Sequence, residues 1–204
     1  RSMTERYTPS SALDEETARA DVYGLLAQLY YAPPTPELLG ALRVAPTEAP
    51  AAGGFLEEPW RGLVGAARRL TRQQVVDEYD ALFQGLGKPE IFLYGSYHLA
   101  GAVNDKPLVE LRRDLQGLGL ERAEGVIETE DHLASLCEVM RFLIAGDDAS
   151  ICNLTQQRRF FRVHLQPWVE GLAGRSRAIR APTSTRRWRA SCAPSPRSRP
   201  RAST

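Results

Sequence analysis

Glu128, Glu130, Asp131 and His132 fall within five positions of the stretch GVIETEDHLASL, residues 125 to 136. A carboxylate beside an imidazole can move a proton, and carboxylates can hold a metal or pair with a guanidinium group. The same residues also admit a reading with no chemistry. Thr129 would then be a helix N-cap, with Glu130 and Asp131 in the first turn, where carboxylates meet the positive end of the helix dipole. That reading leaves Glu128, which precedes the cap and gains little from the dipole, and His132, which sits beside Asp131 without a task.

Other site chemistries find little support. His98, His132 and His164 are scattered, and no two have the i, i+4 spacing of a helical zinc site, so no metal is expected. Ser96 in YGSYHLAG has Gly95 before it but Tyr97 and Ala100 after it, which is no nucleophile elbow. GLGKPE, 85 to 90, matches neither a phosphate-binding loop nor a dinucleotide fingerprint, so no cofactor is expected. Nothing supplies a nucleophile or an oxyanion hole, and the chain reads as a non-enzyme. A small hydrolase built on Asp131 and His132 is the enzymatic alternative. Cys137, Cys152 and Cys192 are odd in number and lack CxxC spacing, which argues for a reducing compartment and a cytoplasmic location.

The elements that must position these residues are helical. Val22, Leu25, Leu26 and Leu29 recur at i, i+3, i+4 and i+7, and Pro33-Pro34 ends the run. Thr35 and Pro36 are a favoured N-cap and first helical position. Val75, Val76, Tyr79, Leu82, Phe83 and Leu86 form one stripe; Leu108, Leu111 and Leu115 another, behind a capping Asn104 or Asp105. Leu133, Leu136, Cys137, Met140, Leu143 and Ile144 form the strongest. Phe161, Leu165, Trp168 and Leu172 continue past Pro167, which should kink their helix. The segment 88 to 107 reads as ordered loop or short turns. No strand pattern appears, so the expected fold is all-α, a single domain of about six or seven helices over 18–172.

No apolar run approaches the roughly 20 residues of a membrane span, and the polar start lacks the apolar core of a secretory signal. Residues 1–17 are expected to be disordered, with Arg1-Ser2 resembling a cloning scar before Met3. The net charge of +1 hides an asymmetry. Residues 173–204 hold nine Arg and no acidic residue, which leaves 17 basic and 25 acidic side chains before them, a net of −8. Such a body repels nucleic acid and attracts basic segments. The Arg-, Ser- and Pro-rich tail is expected to be disordered, and a helical nucleic-acid-binding or regulatory protein using it is the alternative function.

ARADVYGLLAQLYYAPPTPELL, EYDALFQGLGKPEIFLYGSYHL, KPLVELRRDLQGLGLE, ETEDHLASLCEVMRFLI and QQRRFFRVHLQPWV follow one another over residues 18–172. In this order they resemble the TorD/DmsD/NarJ family of redox-enzyme maturation chaperones. Tyr94-Gly95-Ser96 matches the family's tyrosine–x–serine segment. Glu128, Asp131 and His132 match its Glu-Pro-x-Asp-His motif, with Thr129 where proline is usual. The resemblance implies an all-helical, TorD-like, cytoplasmic, non-enzymatic chaperone. It implies as partners the apo catalytic subunit of a molybdenum oxidoreductase and its twin-arginine signal peptide, held until the molybdenum cofactor is inserted. It implies Tyr94, Ser96, Glu128, Asp131 and His132 as peptide-binding residues. Independently, two guanidinium groups pair best with carboxylates in bidentate geometry, and Phe92, Tyr94 and Tyr97 could wall a groove for the apolar part of a signal. Neither nucleic acid nor stable membrane insertion is expected.

Where this family continues into a last amphipathic helix beginning with Phe-Tyr and small residues, this chain has STRRWR, 184 to 189. The bases TTC TAC GCG GCG CTG GCG encode Phe-Tyr-Ala-Ala-Leu-Ala, and read one base later they give Ser-Thr-Arg-Arg-Trp-Arg. The tail is therefore expected to be an out-of-frame reading of that helix, which would leave apolar surface free for a homo-oligomer by helix exchange. Sequencing the DNA between Trp168 and Ser184 checks this. Restoring the frame should yield an amphipathic helix, and a shifted frame without one ends the idea.

Overall fold

The computed structural model describes residues 11–48, 56–85 and 89–178. The arginine-rich segment from 179 on, with the expected out-of-frame reading, lies outside the described residues, as does 1–10. The described helices are α1 (Ser11–Tyr31), α2 (Pro36–Val44), α3 (Glu57–Arg69), α4 (Arg72–Tyr79), α5 (Gly95–Ala100), α6 (Lys106–Gly117), α7 (Leu133–Ala145), α8 (Leu154–Phe160) and α9 (Gln166–Ala178). A π-helical turn, Asp80–Gln84, extends α4, and another, Phe161–Leu165, joins α8 to α9. The result is eight continuous helical stretches and, among the described residues, no strand. The chain is all-α, as its periodicities imply.

Helix α7 is the axis. Leu133, Leu136, Cys137, Met140, Leu143 and Ile144 are all buried, matching the expected stripe, and burial pushes the Cys137 thiol up to about 12. Its most extensive partner is α1. There the expectation shifts. The buried face of α1 includes Ala20, Gly24, Ala27, Leu29 and Tyr30, while Leu25 and Leu26 are only half-buried. Small residues at i, i+4 and i+7 let the two backbones come close. A Cβ at Gly24 would stand 3.2 Å from Cδ of Arg141 on α7. Helix α1 also begins at Ser11, so 11–17 are its first turns rather than the expected disorder. Similarly, α9 runs on to Ala178.

Two stretches without a clear signal are helical. Helix α3 carries Gly62, Gly65 and Pro59, a poor helical composition. Tertiary contacts compensate. Leu63, Val64, Ala66 and Ala67 are buried. Arg43 of α2 donates to the Ala67 and Leu70 carbonyls at 2.9 and 2.8 Å, at the end of α3, and Arg68 of α3 donates to the Arg43 and Ala45 carbonyls at 2.9 and 2.8 Å. Each arginine thus satisfies the orphan carbonyls at the end of the other's helix. Helix α5, short and closed by Gly101 at φ 82°, lies in the segment read as loop.

Local caps follow the sequence. Thr35 accepts the Leu38 N–H at 3.2 Å, and of the two candidates before α6 it is Asp105 that caps. Pro167 has no N–H to return to the preceding turn, and the chain widens there into the π turn. The Trp168 indole N–H takes up the His164 carbonyl at 2.7 Å. Leu143 has no exposed surface at the centre of this packing. Replacing Leu143 with Ala should lower unfolding stability by roughly 2–5 kcal/mol in urea titration; a loss below about 1 kcal/mol would contradict this placement of α7.

Candidate functional site

The site is built where two non-helical segments meet. Leu133 N–H donates to the Leu93 carbonyl at 2.8 Å, and Gly95 N–H donates to the Asp131 carbonyl at 3.0 Å, so Tyr94 and His132 face each other as one antiparallel pair. Gly95 sits at a close approach. A Cβ there would stand 3.2 Å from the Trp168 indole nitrogen. The His98 ring stacks on Trp168 at 5.1 Å, and its Nε2 lies 2.7 Å from the Phe92 carbonyl. A carbonyl only accepts, so that nitrogen carries the proton.

Asp131 is the tie between the two segments. Its Oδ2 accepts from the Ser96 backbone N–H at 2.8 Å and from the Ser96 hydroxyl. Its Oδ1 accepts from the Thr129 hydroxyl at 2.6 Å. Ser96 Oγ in turn accepts the Asn104 N–H at 3.1 Å. Ser96 is 0% exposed and Asp131 3%. A buried carboxylate with three donors, at the start of α5, is compensated as such a charge must be.

This arrangement corrects the expected helix start. Thr129 does not cap α7, because its hydroxyl is turned to Asp131, and Glu130 is not in the first turn. The N-cap is His132, whose Nδ1 accepts the Ala134 N–H at 3.2 Å. Glu130 instead forms a fork with Arg112 of α6, at 2.9 and 3.1 Å. Burial opposes the Glu130 charge, yet Arg112 outweighs it and holds the carboxyl below its ordinary range.

An open pocket of about 370 Å³, counting its mouth, lies against this pair of segments. Tyr79, Phe83, Phe92 and Tyr94 supply aromatic walls, His132 part of the lining, and Glu128 a carboxylate. The Tyr94 hydroxyl donates to Glu128 Oε2, and burial together with that carboxylate raises the phenol's pKa above its usual value. The Tyr94 ring stands edge-on to His132 at 5.1 Å. Glu128 Oε1 has no hydrogen-bond partner among the described residues. Tyr79 turns its hydroxyl away, to the Tyr30 carbonyl at 2.9 Å.

The five residues singled out from the sequence therefore form one cluster. Tyr94, Glu128 and His132 line the pocket; Ser96 and Asp131 are interior and hold the segments that carry them. Phe92 is a wall, and Tyr97 stacks behind it at 3.9 Å. Tyr31, Tyr79 and Phe83 line the pocket without any signal in the sequence. The last two belong to a helical stripe that reads as core, with Tyr79 at the end of α4 and Phe83 in the π turn. That turn leaves the Leu82 carbonyl to accept the Ile91 N–H at 2.9 Å, fixing the segment that leads to Tyr94. No cluster of metal-ligating side chains occurs among the described residues.

The family model for the nitrate reductase delta subunit matches residues 51–173, which contain every residue of the cluster. The chain belongs to this family. It is a family of molybdoenzyme maturation chaperones, and the match covers α3 through most of α9, including the paired segments at Tyr94 and His132. No curated protein matches the chain. In this family member, no helix of the described residues is long and apolar enough to cross a membrane.

Burial lowers the His132 pKa below its ordinary value, against the pull of Glu128 and Asp131, and the neutral ring is what a cap acceptor requires. A depressed histidine pKa means that the unfolded chain binds the proton first. Stability is then lost as pH falls from about 6.5 toward the folded value. His132→Asn keeps a cap acceptor without a titrating ring. Its unfolding free energy should fall less between pH 7 and 5 than that of the wild type, whose extra slope is at most about 1.4 kcal/mol per pH unit. Equal slopes in urea titrations across that range would refute the assignment.

Proposed function

We propose that this family member is a cytoplasmic, non-catalytic chaperone. In this reading it binds the twin-arginine signal peptide and the apo form of a molybdoenzyme catalytic subunit, assists cofactor insertion and delays export. The observation that carries the reading is Glu128: a carboxylate at the wall of an aromatic-lined pocket, bonded among the described residues to the Tyr94 hydroxyl, in a family of molybdoenzyme maturation chaperones. A cationic side chain finds there a counter-charge and ring faces, and an apolar segment following it finds the rims of Tyr31 and Phe92. Ser96 and Asp131 serve binding by holding Tyr94 and His132 in register. The domain that does this is 18–172 with the flanking turns of α1 and α9. The net −8 of residues 1–172 favours encounter with a basic segment.

Isothermal titration of the full chain with a peptide bearing two adjacent arginines before an apolar segment tests this. The wild type should bind it, and Glu128→Gln should weaken binding by roughly 10-fold or more, the worth of a charge-assisted hydrogen bond. Removing residues 179–204 should leave binding unchanged. Binding no stronger than to a scrambled peptide, or equal binding by Glu128→Gln, overturns the reading. Binding that vanishes with the tail transfers the function to the tail.

A further inference from the structure

We infer that Arg112 on α6 is a positioning residue, whose fork on Glu130 fixes the segment that carries Glu128. This rests on the peptide-binding reading above and deepens it. The segment has little of its own to hold it. It lies between α6 and α7, outside any helix. Residues 121–125 and Ile127 are exposed, Gly125 turns at φ 81°, and the chain becomes buried only at Asp131. The Tyr94 hydroxyl bonds Glu128 at the far end of its side chain, which does not by itself place the backbone beneath. Arg112 acts two residues further on. Its Nη2 donates to Glu130 Oε2 at 2.9 Å and its Nε to Oε1 at 3.1 Å. A two-point fork fixes direction as well as distance.

The helix that carries Arg112 is itself tied down. At about 100° per residue, Arg112 and Asp114 leave α6 on opposite flanks of its buried stripe, Leu108, Leu111 and Leu115. On the far flank Asp114 accepts from Arg159 at 2.8 Å and lies 2.8 Å from His164 Nε2. Just before the helix, the Asn104 N–H donates to Ser96 Oγ at 3.1 Å. Helix α6 is thus anchored to α8 and its π turn and to the Ser96–Asp131 lock, and Arg112 passes that placement to the segment. The Arg112 side chain is 47% exposed, and such a pair adds little to global stability. Its effect is local order. Charge alone predicts the opposite sign, because removing a cation near a site for a basic peptide should strengthen binding.

The test uses the full chain, wild type and the Arg112→Gln, Glu130→Gln, double and Arg122→Gln variants, at physiological salt. Arg122 is the control, since it bears on Glu130 as a charge without a hydrogen bond among the described residues. Melting temperatures should stay within about 4 °C of the wild type. NMR order parameters of the 127–130 backbone should drop from the rigid range, about 0.85, toward about 0.6 in Arg112→Gln and in Glu130→Gln. They should drop no further in the double variant and not at all in Arg122→Gln. The two-arginine peptide should bind both single variants and the double about 3–10-fold more weakly, because binding must then order the segment. Unchanged order parameters in Arg112→Gln overturn the inference. So does peptide binding by Arg112→Gln as tight as the wild type or tighter, the sign expected if Arg112 acts by charge or only blocks a carboxylate. Melting temperatures that collapse in both single variants make the pair structural and overturn it too. If order falls but the wild type binds no peptide, the signal-peptide reading falls and the positioning of the segment stands.

Discussion

The buried Asp131 carboxylate is the constraint on which the site depends. A charge inside a protein is tolerated only when donors replace its water, and here they come from both sides of one contact. Thr129 is on its own segment, and the Ser96 hydroxyl and backbone N–H are across the gap. Satisfying the carboxylate therefore requires 93–96 and 129–133 to lie side by side. Once they do, Tyr94 must face His132, α5 must start at Gly95, and α7 must start after His132. The helices follow from apolar burial; the entry points of two of them follow from one carboxylate.

His132 carries a second demand. Its ring caps α7 and lines the pocket at once. The positive end of a helix disfavours a proton on Nδ1, and so does burial. Glu128 and Asp131 pull the other way, yet burial prevails and the ring stays neutral. A protonated ring would lose the cap and place a positive charge against the wall. Neutral, it leaves Glu128 as the charge of the lining.

The sequence made the helices legible where local rules decide them. The stripe of α7, the Thr35 cap and the stop at Pro33-Pro34 depend on neighbours a few residues away. It also brought Tyr94, Ser96, Glu128, Asp131 and His132 together, through two short motifs, one ending at Ser96 and the other beginning at Glu128. It failed where distant groups decide. Thr129 has the chemistry of an N-cap, and only Ser96, 33 positions away, turns the segment from that role. Helix α3 has the glycines and proline of a loop, and only Arg43 on another helix completes its end. Of the α1 leucines that read as its core face, Leu29 is buried and Leu25 and Leu26 are half-buried, because close approach to α7 called for Ala20, Gly24 and Ala27. Phe83 reaches the pocket from a π turn, which no periodicity announces.

On the proposed peptide-binding reading, selectivity for a basic ligand cannot come from the body's net charge alone. Exposed charges are screened beyond about 8–10 Å at physiological salt, and several here are already paired, Glu130 with Arg112 and Asp114 with Arg159. Long-range attraction raises the rate of encounter and favours any cationic segment equally. Discrimination has to arise within contact distance, from a partly buried group at a built wall. Glu128 stands there beside the Tyr94 hydroxyl, and Tyr94 is placed by Leu133 on one side and by Asp131 on the other. The line from buried carboxylate to presented carboxylate is continuous through the bridge. It divides the motif residues in two: Ser96 and Asp131 secure the backbone, and Tyr94 and Glu128 stand at the pocket wall.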